Sequence, residues 1–241
     1  MSTAQHGGGL ERLLARQRAL SSRAWRIPAL NERLGTLRAW QAARLAHTYE
    51  DLQRDPRYAQ AVEFFLSDVY GPQDFTRRNR ELSRAAGALN RMLPEPFLTV
   101  LTRAIELEVL TGVLDRGIAM RLAAGPVSSA SYASAYRALG RAAARRRQIE
   151  LAVSIGAELE HLVRHRWTAV ALRAAHVPAH AAGFGVLQGF LERGFSAFRR
   201  MENAQPLLQA IHERETRLME ALLRGQPVVN GLLSAEPFAH D

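Results

Sequence analysis

Three side chains able to ligate a metal share one helical face in the second half of the chain. Glu158, His161 and His165 are spaced three and four apart, offsets that make residues neighbours on a helix surface. Glu158-Leu159-Glu160-His161 is an ExxH, the ligand pair that di-metal helical bundles supply twice, with single glutamates from two further helices. Glu108 is the candidate lone carboxylate, with Asp115 seven residues on, but no second ExxH occurs. The same histidines, or His176 and His180, are candidate axial ligands for a haem held between helices. Against both readings stands the ordinary one, a solvated helix face laced with ion pairs.

A second constellation is basic. Arg137, Arg141 and Arg145 recur every four residues, followed by Arg146 and Arg147. Along one helix they would form a ridge able to grip anions bidentately. The competing use is pairing with acidic helices that carry Glu213, Glu215 and Glu220.

The composition removes much other chemistry. All 32 basic residues are arginine, and the chain has neither lysine nor cysteine. That excludes thiol nucleophiles, disulfides and cysteine-held zinc or iron–sulfur centres. It also excludes Schiff-base chemistry and a P-loop lysine. No GxSxG elbow, HExxH or GxGxxG stands in its place. The net charge of +9 in 241 residues would ordinarily suggest an anionic partner. Total replacement of lysine by arginine points as much to GC-rich coding, so nucleic acid is not the expected partner.

The elements that must position these residues read as helices. Forty alanines and 33 leucines dominate the apolar set, and both residues lose little on entering a helix. No stretch of roughly 18 strongly apolar residues is present to span a membrane. The first residues lack a secretory apolar core, so a cytoplasmic protein is expected. Residues 1–9, with three consecutive glycines, are expected to be disordered. Helices are expected over about 10–25, 31–52, 56–70, 74–93, 97–122, 132–167 (where Gly140 or Gly156 could place a kink), 179–201 and 205–223, with an irregular tail at 225–241. The fifth, Phe97 to Leu122, has apolar residues around its whole circumference, the mark of a buried central helix. The fold class is therefore all-α: one bundle of about eight helices over 10–224, with a possible subdivision at the 123–131 loop.

One segment has the look of a hallmark. Phe64 to Phe75 reads FFLSDVYGPQDF and is followed by Thr76-Arg77-Arg78-Asn79. With 45–52 (LAHTYEDL), Pro56-Arg57-Tyr58, the 181–191 segment, Arg214-Glu215 and Leu218-Met219, it resembles an uncharacterised bacterial protein family. The resemblance covers about 40–225 and implies an ordered helical fold without bringing an activity. Asp68, Tyr70, Asp74 and Arg78 are the members of this corner that could either tie it together or line a site.

The remaining feature concerns contacts. Gly185 and Gly189 form GxxxG, with Phe184 beside them, a pattern for close helix–helix approach. The expected function is a non-enzymatic binding or interaction protein, a homo-oligomer or a partner of another protein through 179–201. It requires no cofactor. The alternatives are a metal or haem bundle centred on Glu158, His161, His165 and Glu108, and an anion or nucleic-acid binder using Arg137, Arg141 and Arg145.

Overall fold

The chain forms its helices wherever an apolar stripe meets a stop signal, and there are more stops than the periodicity suggests. The computed structural model describes residues 3–25, 27–69, 76–92, 94–226, 228–229 and 232–233. Among them are eleven α-helices: α1 (Thr3–Trp25), α2 (Pro28–Thr48), α3 (Glu50–Arg54), α4 (Ala59–Phe64), α5 (Thr76–Met92), α6 (Glu95–Ala119), α7 (Ser129–Leu139), α8 (Ala142–Arg164), α9 (Arg166–Ala181), α10 (Gly185–Arg200) and α11 (Gln205–Arg224). A π-helical turn, Phe65–Val69, extends α4, and two-residue strands β1 (Val228–Val229) and β2 (Leu232–Leu233) pair antiparallel. The fold is all-α.

Three breaks account for the extra helices. The expected helix over 132–167 ends at Leu139, because Gly140 (φ 64°) and Arg141 (φ 62°) both take left-handed backbone. The expected 179–201 helix is two. Gly183 (φ 75°) ends α9, and the Phe184 N–H donates back to the Ala179 carbonyl at 2.8 Å, the six-to-one bond of a Schellman turn. The expected 31–52 helix stops at Thr48, where Tyr49 leaves helical geometry. At the N-terminus α1 begins at Thr3, ahead of the pattern that starts near Leu10. Ser128 opens α7 with a reciprocal capping box to Ser131.

Helix α6 is the hub. It packs against α1, α2, α7 and α8, so elements on both sides of the 123–131 loop share contacts. Leu98, Val100, Ile105, Val109, Leu114 and Ile118 are buried along it. Its burial is not complete around the circumference, since Val113 is 37% exposed, while the polar Asp115 is 3% exposed. The apolar interior is divided into clusters. One joins Leu34 and Leu37 of α2 to Ile118, Tyr132, Tyr136, Leu218 and Leu222. Another joins Tyr49, Val62 and Phe64 to Phe198, Leu207 and Leu208. Between these two lies a polar seam.

No helix among the described residues is long and apolar enough to cross a membrane. The hub geometry makes a direct prediction. Ile118→Ala, at a site with no exposure, should cost about 2–5 kcal/mol by leaving a cavity. Val113→Ala on the same helix should cost less than about 1 kcal/mol, because part of its side chain is already in water and alanine is the better helix former. Urea unfolding followed by circular dichroism reads both.

Candidate functional site

The seam is built from five helices. Gln41 and Arg44 come from α2, Tyr49 from the break after it, Thr111 and Asp115 from α6, and Tyr132 and Tyr136 from α7. Arg145 and Gln148 come from α8 and Glu215 from α11. All line one cavity of about 130 Å³, whose remaining walls include Leu66, Ile149, Leu207, Ile211 and Met219.

Its two guanidinium groups are treated differently. Arg44 Nη1 donates to Glu215 Oε1 at 2.5 Å, and the Tyr49 hydroxyl donates to the same oxygen at 3.1 Å. Burial works against the Arg44 charge, but Glu215 more than offsets it, and the group sits above its ordinary range. Burial pushes the Tyr49 hydroxyl well up, and the Glu215 carboxylate adds to this. Tyr49 is therefore a fixed donor. A buried pair of this kind holds only while both partners are present; removing one leaves an uncompensated charge costing about 3–5 kcal/mol.

Arg145 has no carboxylate in contact. It is 5% exposed, its guanidinium lies 4.4 Å from the centre of the Tyr136 ring, and Nη1 donates to Gln148 Oε1 at 3.2 Å. Gln148 is itself oriented by donating to Thr111 Oγ1 at 2.7 Å. The Nε and Nη2 atoms of Arg145 are buried and have no hydrogen-bond partner among the described residues, and neither has Arg44 Nε. The nearby Asp115 carboxyl accepts from Gln41 Nε2 at 3.1 Å and lies 4.0 Å from Arg38 Nε. Burial raises its pKa, outweighing Gln41, Arg38 and Arg145, which act to lower it.

Of the residues that the sequence singled out, Arg145, Asp115, Glu215 and Tyr49 line this cavity, and the other candidate site residues lie elsewhere. Arg137 and Arg141 are exposed and separated from Arg145 by the Gly140–Arg141 break, so the three do not form one ridge. Glu158, His161, His165 and Glu108 do not gather. Arg103 pairs with Glu158, while Glu108 accepts from Asn79 Nδ2 at 2.6 Å and lies 3.6 Å from Arg78. No three His, Asp or Glu side chains among the described residues are placed to hold a metal ion. His176 Nδ1–H donates to Glu192 at 2.7 Å and His180 Nδ1–H to the His176 carbonyl at 2.8 Å. A single helix turn thus uses both of those histidines.

The glycines of the GxxxG segment are half-buried and meet side chains of this same chain. A Cβ at Gly185 would stand 2.9 Å from the His180 ring, and Phe184 packs into the cluster of Leu187, Leu82 and Ile105. A Cβ at Gly189 would meet Arg193 of its own helix. The corner residues Asp68 and Arg78 are ties. Arg193 Nη2 donates to Asp68 at 2.5 Å, and Arg78 donates to the Asp68 carbonyl at 2.8 Å while stacking on Phe190 at 4.6 Å. Tyr70 and Asp74 lie outside the described residues.

Arg44, Gln41, Tyr132 and Gln148 were missed because no motif marks them along the chain and the cavity assembles them only in three dimensions. A signal existed for Tyr49 and Glu215. The segments 45–52 and 214–219, both part of the family-like pattern, meet here: Arg214 makes a two-pronged pair with Asp51 at 2.6 and 2.7 Å and donates to the Thr48 carbonyl. Residues 21–229 match the model of Domain of unknown function (DUF8198). The chain belongs to that family. No curated protein and no solved structure matches it.

Asp115 supplies a pH test. A carboxyl with a folded pKa above its unfolded value binds more protons when folded, so stability falls as pH rises from the ordinary carboxylate range through the folded value. Asp115→Asn keeps the oxygen that Gln41 donates to. It should therefore match or exceed the wild type in stability at about pH 8 and lose less stability than the wild type between about pH 5 and about pH 8. Urea midpoints at the two pH values decide it.

Proposed function

We propose that this protein is a binding protein that holds a small anion in the seam cavity, with Arg145 as the principal contact. The observation that carries the reading is an arginine 5% exposed whose Nε and Nη2 have no partner among the described residues. Burying charge without compensation costs several kcal/mol. A position that retains such a group, with its face covered by Tyr136 and its Nη1 tethered by Gln148, suits a ligand that completes its hydrogen bonds. Binding sites commonly retain unfavourable groups that function needs.

Non-enzymatic binding agrees with the composition. The cavity carries no cysteine or lysine, and its tyrosine Tyr49 is committed to Glu215. The anion reading, expected from a surface ridge of three arginines, here rests on Arg145 within the bundle.

A second reading concerns a protein partner. On α9, Trp167, Val170 and Val177 are 46%, 63% and 73% exposed, and the offsets of three and ten residues put them near one face. This outer face of α9, rather than the half-buried GxxxG of α10, favours self-association. Sedimentation at micromolar concentration tests it: Val170→Glu should shift a dimer to monomer, and a wild-type monomer would remove the reading.

The anion proposal separates the arginines. At constant ionic strength, acetate, butanoate or inorganic phosphate should raise the melting temperature of the wild type, by about 2.7 kcal/mol of stabilisation at a hundred times the dissociation constant. Arg145→Met should abolish this response, whereas Arg137→Met and Arg141→Met should keep it. Without ligand, Arg145→Met should be as stable as the wild type or up to about 1–4 kcal/mol more stable, as when a buried ion is replaced by a packed apolar group. An anion response kept in Arg145→Met, or no response of the wild type to any anion, would contradict the assignment.

A further inference from the structure

The cavity restricts the anion more closely than its charge alone. We infer that the ligand is a monocarboxylate with a compact apolar body, its two oxygens received side-on by Nε and Nη2 of Arg145. This rests on the anion-binding reading above and narrows it on three independent grounds.

The first is geometric. With the Tyr136 ring over the guanidinium and Nη1 held by Gln148, the free donors are Nε and Nη2, which lie in the guanidinium plane and along one edge. Two parallel N–H groups on one edge match the two oxygens of a carboxylate in a fork-to-fork pair. Gln148 of α8, itself donating to Thr111 of α6, fixes the guanidinium from the other side through Nη1.

The second ground is charge. Arg44 is already paired with Glu215, whereas no carboxylate among the described residues pairs with Arg145, and Asp115 and Glu215 line the same space. A monoanion supplies Arg145 with a partner while adding the least repulsion from those two carboxyl groups. A dianion would set its second charge near the Glu215 carboxylate in a setting where water screens poorly, and like charges so placed repel strongly. Phosphate is therefore the wrong anion, although it shares the attraction to arginine.

The third ground is size and wall chemistry. At about 130 Å³ the space is close to the roughly 150 Å³ apolar cavity that admits benzene. A carboxylate with three to five further carbon atoms is the scale this volume takes. Beside its polar groups the cavity has apolar walls, among them Leu66, Ile149, Leu207, Ile211 and Met219. An apolar body against them is removed from water, whereas a second charged group would lose hydration there.

The experiment is isothermal titration of the full-length wild-type protein at neutral pH and fixed ionic strength, with butanoate, butanamide, octanoate and inorganic phosphate as separate probes. Butanoate should bind at least tenfold more tightly than butanamide, which has the same shape without the charge, and at least tenfold more tightly than octanoate and phosphate. Arg145→Lys, which keeps the charge but loses the planar fork, should weaken butanoate at least tenfold, and it serves where Arg145→Met fails to fold. Phosphate binding as tightly as butanoate would overturn the monocarboxylate inference and leave the anion reading standing. Octanoate binding more tightly than butanoate would overturn the compact body. Equal binding of butanoate and butanamide, or binding of neither anion, would overturn both.

Discussion

A guanidinium removed from water must recover its hydrogen bonds from the protein, and this bundle does so unequally for the two arginines at its seam. Arg44 recovers a carboxylate, Glu215, across the space between α2 and α11, with the Tyr49 hydroxyl on the same oxygen. Arg145 recovers an aromatic face and one amide oxygen. The difference sets the character of the cavity. The Arg44–Glu215 pair joins the helices that carry the two main apolar clusters, and the incomplete solvation of Arg145 leaves one positive charge directed at a small, partly apolar space. Buried ion pairs are weak sources of stability but strong constraints on arrangement once formed. Here the arrangement they constrain is the cavity itself.

The seam exists because the apolar stripes of the bundle do not merge into one core. Leu34, Leu37, Ile118 and Leu222 pack on one side of it, and Val62, Phe198 and Leu208 on the other. Helix α6 runs through the molecule and contributes Asp115 and Thr111 to the cavity from positions that also flank buried Leu114 and Ile118. The left-handed pair Gly140–Arg141 ends α7 and restarts the chain as α8. Without that break Tyr136 and Arg145 would be nine residues apart on one continuous rod. With it, the guanidinium folds back over the tyrosine ring.

The helical class and its hub were legible because they rest on periodicity, which neighbours in sequence carry by themselves. Leu101, Ile105, Val109 and Leu114 surround α6 with apolar side chains and announce a buried helix without any knowledge of what packs against it. The breaks at Tyr49, Gly140 and Gly183 were not legible as breaks, because leucine and alanine on both sides preserve the helical pattern and one left-handed residue is enough to end a helix. For the site the division is sharper. Arg145 was visible only as one of a row, and the row suggested an exposed ridge; its burial depends on where α7 ends. Glu158 and His161 had the right spacing for metal, yet spacing on one helix says nothing of Arg103, which reaches Glu158 from another. Tyr49 and Glu215 stood in segments already singled out as family-like, and only their meeting in space gives that pattern a physical meaning.

A ligand held by Arg145 must engage its Nε and Nη2 donors, and the most direct measurement is of those donors. In a proton–nitrogen correlation spectrum the Nε–H signal of Arg145, assigned by its loss in Arg145→Met, should move on titration with butanoate and exchange more slowly with water. The Nε–H signals of exposed Arg137 and Arg141 should stay in place. An Arg145 signal that is unchanged at saturating butanoate would contradict the central claim.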